Sequence, residues 1–471
     1  VRWPTESLGA ICEIVSGITK DSKKQGDDYR EVPYLRVANV QRLQLNLSEV
    51  KTIPAKESTI ASYRLEPGDI LLNEGGDRDK LGRGWIWQGQ ISECIHQNHV
   101  FRARIRNGKA IPKWIAYYAN TNEARAYFLA TGKQTTNLAS ISKKNLGALP
   151  VPLPPVDIQE SIVAEIDTQL SRLDETITTL QGIQAKLKQA RASVLKAAVE
   201  GRLVESEAEL ARIENRKYEH ARDLIAASLK LREQQHESVQ QTQGRKRTYR
   251  KPTSASHIPS QDASLLPPGW AYASTEEVTS GNPYSLAIGP FGSNLKVSDY
   301  KDRGVPLVFV RNVRSNTFSM DNTVFVSHEK ANELKAHAAE PGDLLITKMG
   351  DPPGDSAIYP SGLPHSIITA DVIRLNPSNR FDVQYLLYAT KSSFFRLQIQ
   401  LATKGVAQKK VSLERFSKVH FPIPPYAEQV RIVNEIDRRF SVLDQVEATV
   451  QTSLARCGLL RQAILKRAFR G

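Results

Sequence analysis

A polar residue, two prolines and an aromatic ring in a row are what a methyltransferase acting on an adenine amino group needs. The polar group and a backbone carbonyl hold the amine while the ring stacks on the flipped base. Three segments of this chain come near that pattern and none completes it. Asp351-Pro352-Pro353-Gly354 has glycine where the ring belongs, Ile423-Pro424-Pro425-Tyr426 has isoleucine where the polar group belongs, and Leu266-Pro267-Pro268-Gly269 lacks both. A nucleotide phosphate loop is missing too, because Gly132-Lys133 has neither the upstream glycine nor the following Ser or Thr. Cys94, His96 and His99 are metal-ligand types, but their neighbours Ile91, Ile95 and Val100 mark a strand and no fourth ligand stands by, so a buried strand is the better reading. Glu74, Asp77 and Asp79 with Lys80 have the composition of a metal-dependent nuclease centre, yet the corresponding stretch of the second half offers only Lys348 and Asp351. The expectation is a chain with no catalytic residues, no metal and no cofactor of its own.

The elements that would position any such residues are set out by charge and by repetition. With 64 Lys+Arg against 50 Asp+Glu, the formal charge is +14 over 471 residues, which favours a polyanionic partner through counterion release. No apolar run of spanning length and no signal-like start points to a membrane, so the expected location is the cytoplasm. The cysteines, Cys12, Cys94 and Cys457, are too scattered for a disulfide framework, which fits a reducing compartment.

The chain contains one module written twice. Pro154-Pro155, Gln159, Ile162-Val163, Glu165-Ile166-Asp167, Ser171 and Leu173-Asp174 recur as Pro424-Pro425, Gln429, Ile432-Val433, Glu435-Ile436-Asp437, Ser441 and Leu443-Asp444, each 270 residues later. The same offset carries Leu195-Lys196 and Gly201 onto Leu465-Lys466 and Gly471. Upstream the match is looser. Pro67-Gly68-Asp69 answers Pro341-Gly342-Asp343, Leu129-Ala130-Thr131 answers Leu401-Ala402-Thr403, and Pro33, Val37, Asn39 and Val40 answer Pro306, Val310, Asn312 and Val313. Those offsets drift between 272 and 274, as expected of segments that have diverged by insertion and deletion.

Heptad spacing places Ile166, Leu170, Leu173, Ile177, Leu180, Leu187 and Val194 on one seam and Ile436, Phe440, Leu443, Val450, Leu454 and Ile464 on another. Arg191 and Arg461 fall at equivalent seam positions, suited to ending a dry stretch or fixing register. Residues 426–470 would span on the order of 68 Å if helical throughout, a rod rather than a core helix. Residues 205–241 read as a charged helical extension, and residues 244–260, with Arg245, Lys246, Arg247, Arg250 and Lys251, as a flexible tether. β-like runs at 32–40, 69–72, 305–313 and 342–347, with helix-like stretches at 114–119 and 385–389, make each variable region α+β.

The expected organisation is an α+β domain at 1–152, a constant helix at 153–203, the extension and tether at 204–264, a second α+β domain at 265–422 and a second constant helix at 423–471. The heptad spacing of the helices suits a coiled-coil pair, and the duplication suits an internal pseudo-twofold repeat.

In these features the chain resembles the specificity subunits of type I restriction-modification systems. The resemblance rests on Leu149-Pro150-Val151-Pro152-Leu153-Pro154-Pro155 with Gln159-Glu160, on Phe421-Pro422-Ile423-Pro424-Pro425 with Glu428-Gln429, and on helices closing on Leu-Lys-x-Ala-x-x-Gly. Gly289-Pro290-Phe291-Gly292-Ser293-Asn294-Leu295 is similar to that family's target-recognition signature, from which Val15-Ser16-Gly17-Ile18-Thr19-Lys20 departs in the first half. The resemblance implies a non-catalytic subunit in a bacterial or archaeal cell. Each variable domain would read one half of a bipartite site in double-stranded DNA, the two long helices would pack as an antiparallel coiled coil that holds the domains apart, and two methylation subunits would dock on the helices. Restriction subunits would join them, and S-adenosylmethionine, ATP and Mg would belong to these partners. A free-standing DNA-binding regulator, or a nuclease or methyltransferase with an unrecognised site, are the rival classes.

Bases are told apart by Arg, Lys and amide side chains on loops reaching the major groove. The candidates in the first domain are Arg36, Asn39 and Gln41; Asp77, Arg78, Lys80 and Arg83; and Lys133, Gln134, Thr135, Thr136 and Asn137 after Gly132. In the second they are Ser293, Asn294 and Lys296; Arg311, Asn312 and Arg314; Lys348; and Lys404, Gly405, Gln408, Lys409 and Lys410.

Overall fold

The computed structural model describes residues 3–19, 28–134, 139–243, 249–255, 266–314, 317–405 and 409–470. Two units emerge, residues 1–183 with 449–471, and residues 184–448. Each holds one α+β domain, the beginning of the long helix that follows it and the end of the other long helix.

The long helices are Val156–Val199, 44 residues, and Tyr426–Ala468, 43 residues, each about 65 Å of rise. On the first, positions 163, 166, 170, 173, 177, 180, 184, 187, 191, 194 and 198 are all buried or half-buried, and so is every position 270 later on the second. All the heptad residues named from the sequence lie on this seam, joined by Cys457 and Glu447, which the apolar pattern passes over. In the first unit Ile166, Leu170 and Leu173 share a core with Cys457 and Leu465. In the second, Val194 and Ala198 share a core with Ile432, Val433 and Ile436, while Arg191 pairs with Asp444 and Glu447 further along, so the helices run antiparallel.

Both domains are built on a four-stranded antiparallel sheet of the same order. In the first it runs Cys12–Ser16, Val100–Ile105, Ile70–Asn73, Gly84–Ile86; in the second, Leu286–Ile288, Val372–Leu375, Leu344–Thr347, Ser356–Ile358. The Pro-Gly-Asp turns lead into the second central strand of each. Gly68 at φ +97° and Gly342 at φ +90° take the left-handed place of a type II turn, closed by Asp69 N–H to the Glu66 carbonyl and Asp343 N–H to the Glu340 carbonyl, both 3.0 Å. The first and last strands of each domain pair antiparallel, Thr5–Ser7 with Pro150–Pro152 and Ala271–Ser274 with His420–Ile423, which brings the ends of the domain together beside its helix.

The letters repeated in the sequence weld domain to helix. Gln159 and Gln429 are fully buried; each donates to the carbonyl five residues before it, Pro154 at 2.8 Å and Pro424 at 2.9 Å, and accepts a domain N–H, from Ile111 at 3.1 Å and Asp382 at 2.9 Å. Trp114 Nε1 donates to the Pro152 carbonyl at 2.7 Å and Tyr385 Oη to the Pro422 carbonyl at 2.5 Å. Tyr117 and Tyr388 each donate to the aspartate of the repeated Glu-Ile-Asp, Asp167 and Asp437.

The stretch expected as a charged extension is helical, and the tether beyond it differs from expectation. The extension is two helices, Glu207–Ile213 and Ala221–Gln243, separated by a break at 214–220. Buried Glu207 anchors the first through Arg216 at 2.6 Å and Arg431 at 2.7 Å, and Arg232 fastens the second to the Glu276 carbonyl at 2.7 Å. Residues 249–255 are not a loose tether: Thr253 N–H and Ala255 N–H donate to the carboxylates of Glu276 and Glu277 at 2.9 and 3.1 Å. Residues 244–248 and 256–260 lie outside the described residues.

Candidate nucleic-acid interface

Local pairing brings two of the candidate loops together in each domain. In the first, Gly75–Gly76 pairs with Ala139–Ser140, which pairs in turn with Lys133–Gln134, so the loop carrying Asp77, Arg78, Lys80 and Arg83 lies beside the hairpin that follows Gly132. In the second, Lys410 bridges both Met349 and Lys404, setting Lys348 and Asp351 beside the turn through Gly405, which has φ +112°. Thr135, Thr136, Asn137 and Gln408 lie outside the described residues, as does the side chain of Gln134.

The backbone scaffold of the two sites is the same. Glu74 N–H donates to the His99 carbonyl at 2.9 Å and the Glu74 carbonyl accepts from Ile141 N–H at 2.8 Å; Lys348 N–H donates to the Asp371 carbonyl at 2.8 Å and the Lys348 carbonyl accepts from Val411 N–H at 3.1 Å. Glu74 and Lys348 therefore occupy one structural position with opposite charge. Glu74 binds His99 Nδ1 at 2.9 Å, whereas Lys348 Nζ donates to the Ala370 carbonyl at 3.3 Å and Asp371 takes Lys410 at 3.4 Å.

Around that position the charged candidates are only partly free. Lys80 pairs with Asp77 and Lys409 pairs with Asp351 at 2.7 Å, while Arg78, Lys133 and Lys404 are exposed. Hydrogen bonding to Lys80 holds the Asp77 carboxyl below its usual range. The turn around residues 37–42 lies against the same loop, with Asn73 Nδ2 donating to the Val40 carbonyl at 2.9 Å and Arg42 Nη2 to the Asp79 carbonyl at 3.2 Å. Arg36 faces Glu49 at 3.6 Å, and Gln41 Nε2 donates to the Ala38 carbonyl at 2.6 Å. Arg311 lies over the Phe309 ring, 4.1 Å from its centre, and Arg314 is exposed. Ser293, Asn294 and Lys296 are on an exposed turn, held by Leu295 in a small core with Val305 and Val326.

Two candidates must be withdrawn. Asn39 and Asn312 are buried, and their amides bond inside the fold. Asn39 Oδ1 accepts Arg36 N–H and Nδ2 donates to the Asn46 and Glu49 carbonyls, all at 2.9 Å. Asn312 repeats the first two bonds, with Phe309 N–H and the Ser319 carbonyl, at 2.8 Å each. Such an amide pins a turn, and its burial keeps it from a base edge.

Sequence reasoning missed Arg42 and Arg125, which gather with Arg83 beside the loop. Burial first, then repulsion from Arg125 and Arg83, hold the Arg42 guanidinium below its ordinary range, and burial does the same to Arg83. The signal existed in the duplication, since Arg83 aligns with an aspartate in the second copy, but it needs the strand register to be seen. Cys94, His96 and His99 are not brought together as a ligand group. Cys94 and His96 are buried, and no group of potential ligands occurs among the described residues. Nor, among them, is any helix long and apolar enough to cross a membrane.

The family model described as the type I restriction modification DNA specificity domain matches residues 1–189 and 308–454. The specificity subunit of the type I restriction enzyme EcoBI of Escherichia coli is 23% identical over 475 residues, covering 100% of this chain and 86% of that protein. That of StySPI of Salmonella potsdam is 23% identical over 482 residues, covering 100% and 89%. Among solved structures, one described for complex assembly and conformational transition of the type I R-M system superposes with a TM-score of 0.65 at 17% identity, covering 100% of this chain and 98% of that one. The HsdS subunit from Thermoanaerobacter tengcongensis does so at 0.51, also at 17% identity, covering 100% and 97%. The chain belongs to the family of type I restriction modification DNA specificity domains, and its function is that of the specificity subunit of such a system.

Proposed function

We propose that each α+β domain reads one half of a bipartite DNA site while the long helices fix the distance between the halves and present two equivalent docking surfaces to methylation subunits. The observation that carries this reading is that one backbone scaffold is built twice with different side chains at its loops, Glu74 in one copy and Lys348 in the other. A duplicated surface with pseudo-twofold symmetry suits two copies of one partner, and diverged loops suit two unlike half-sites. In this reading the subunit is not catalytic. The methylation subunits supply S-adenosylmethionine and the base-flipping site, and restriction subunits supply ATP- and Mg-dependent chemistry.

A genome-wide map of methylated adenines with and without this chain tests the reading. A split motif should vanish on deletion, and exchanging residues 265–422 for another member's domain should change one half of that motif only. Methylation that persists without the chain, or a swap that alters both halves, overturns it.

A further inference from the structure

The two domains differ at one ion pair in a way that points to a missing anion. In the second, Asp355 follows the strand turn and binds Arg396 at 3.0 Å, on helix Ser393–Ala402. The first domain has the same backbone there: Asn73 N–H donates to the Arg83 carbonyl at 3.0 Å as Thr347 N–H does to the Asp355 carbonyl at 2.8 Å. Thr121 and Ser392 cap the corresponding helices by accepting Ala124 and Phe395 N–H, and Arg125 and Arg396 follow one residue later in each. A Cβ on Gly82 would meet the Phe128 ring at 2.2 Å, and one on Gly354 would meet Ile399 Cγ2 at 3.1 Å, so the turn rests on the same helix face in both. Where the second domain closes an Asp–Arg pair, the first keeps the helix arginine, Arg125, and has Arg83 in place of the aspartate.

Among the described residues no carboxylate takes the place of Asp355 in an ion pair. Arg42 joins the pair, its guanidinium bonded to the Asp79 carbonyl and, at 3.5 Å, to Asn120 Oδ1. Among the described residues no ion pair ties Arg42, Arg83 or Arg125 to a carboxylate. Of the acids facing Arg83, Asp77 is committed to Lys80 and Asp79 is exposed. Arg83 Nε is buried without a partner. Like charges gathered on a half-buried surface are unfavourable until an anion lies between them, and guanidiniums match a phosphate with paired donors.

We infer that Arg42, Arg83 and Arg125 form a binding site for a DNA backbone phosphate, present in the first domain and replaced by an internal ion pair in the second. The inference rests on the DNA-reading function proposed above. The site adjoins the loop of Arg78 and Lys80 and would hold that loop in register on the duplex without reading sequence.

The test uses the full chain with its methylation partner and DNA carrying the split motif. Arg83→Asp rebuilds the ion pair of the second copy with Arg125, so its melting temperature without DNA should equal or exceed that of the parent. Its affinity should fall about tenfold at low salt, equally for cognate and scrambled DNA, and the slope of log affinity against log salt should drop by about one. Arg125→Ala, at an exposed position, should give the same slope change if Arg83→Asp fails to fold. An unchanged slope overturns the site, as does a loss confined to one base of the motif. Stabilisation of the parent by inorganic phosphate, absent in Arg83→Asp while DNA binding is unaltered, overturns DNA as the source of the anion. Failure of the parent complex to prefer the split motif would count against the DNA-reading function itself, a separate result.

Discussion

At the junction of domain and helix the two copies keep the same side chains and the same bonds, Gln159 with Gln429 and Tyr117 with Tyr388. At the loops they keep the backbone bonds and change the side chains, Glu74 to Lys348, Arg83 to Asp355 and, in a strand behind them, His96 to Ile368. A main-chain ladder is indifferent to the residue that carries it, so a loop can be held in place while its chemistry is rewritten. Identity between the copies marks scaffold, and difference marks where the chemistry is free to change.

Removing the difference at His96 should give the largest effect. His96 is wholly buried, with Nδ1 2.7 Å from the Val100 carbonyl and Nε2 without a partner. Burial, with a smaller push from Arg102, lowers its pKa from 6.5 to about 4 against the opposing Val100 bond. The fold thus holds the neutral ring. Between pH 6.5 and 4 the unfolded chain binds a proton that the folded chain refuses, so stability falls as pH falls through that window, by roughly 3 kcal/mol in total, and changes no further below it. His96→Ile, the residue of the second copy, should remove that part of the acid loss. Thermal unfolding of both proteins from pH 7 to 4 measures it, and parallel curves would show that His96 contributes nothing.

Exchanging the charges at the paired loop position should come next. A carboxylate accepts from the amino group of cytosine or adenine, and an ammonium donates to guanine O6 and N7. Glu74→Lys should therefore alter the preferred base at one position of one half-site, and Lys348→Glu at one position of the other. Each should shift discrimination by about 1–3 kcal/mol. Selection from randomised DNA by the complex reads both. Two unchanged motifs would remove these side chains from direct reading.

Much of this comparison is legible before any coordinates. The 270-residue repeat and the heptads give the rod, because a seam has to recur to stay buried, and Gln159 stands out because it recurs with the prolines it binds. Asn39 and Asn312 misled for a related reason. An amide beside a strand suits base reading, but the same amide at the same place in both copies is what a turn pin looks like, since two different half-sites call for different readers. The Arg42, Arg83 and Arg125 cluster was hidden because its members are 41 or more residues apart and its counterpart is found only through strand register and helix caps. Matched letters put the helix after Thr121 at an offset of 272, whereas its cap gives 271.

The smallest expected effect lies on the seam itself, where the copies agree in their first bond and differ in the second. Arg461 reaches Asp174 in one unit, and the equivalent Arg191 reaches Asp444 in the other. Arg191 also binds Glu447 at 2.8 Å and has its guanidinium 6.0 Å from the centre of the Phe440 ring. The positions answering these for Arg461 are Ile177 and Leu170, which offer no charge and no ring. Both aspartates are largely exposed, so solvent screens either pair to less than about 1 kcal/mol. Glu447 is more sheltered and lies at a seam position, where removing Arg191 would leave a half-buried carboxylate facing apolar neighbours. Arg191→Ala should therefore cost more than Arg461→Ala, by a few tenths to about 1 kcal/mol. Replacing Glu447 with Ile in the Arg191→Ala background should erase most of the excess, because it turns the seam of one unit into that of the other. Denaturant unfolding of the parent, both arginine variants, Glu447→Ile alone and the double variant measures this. Equal losses for the two arginines would mean that Glu447 is solvated as fully as the aspartates and that the seam is symmetric in energy as well as in register.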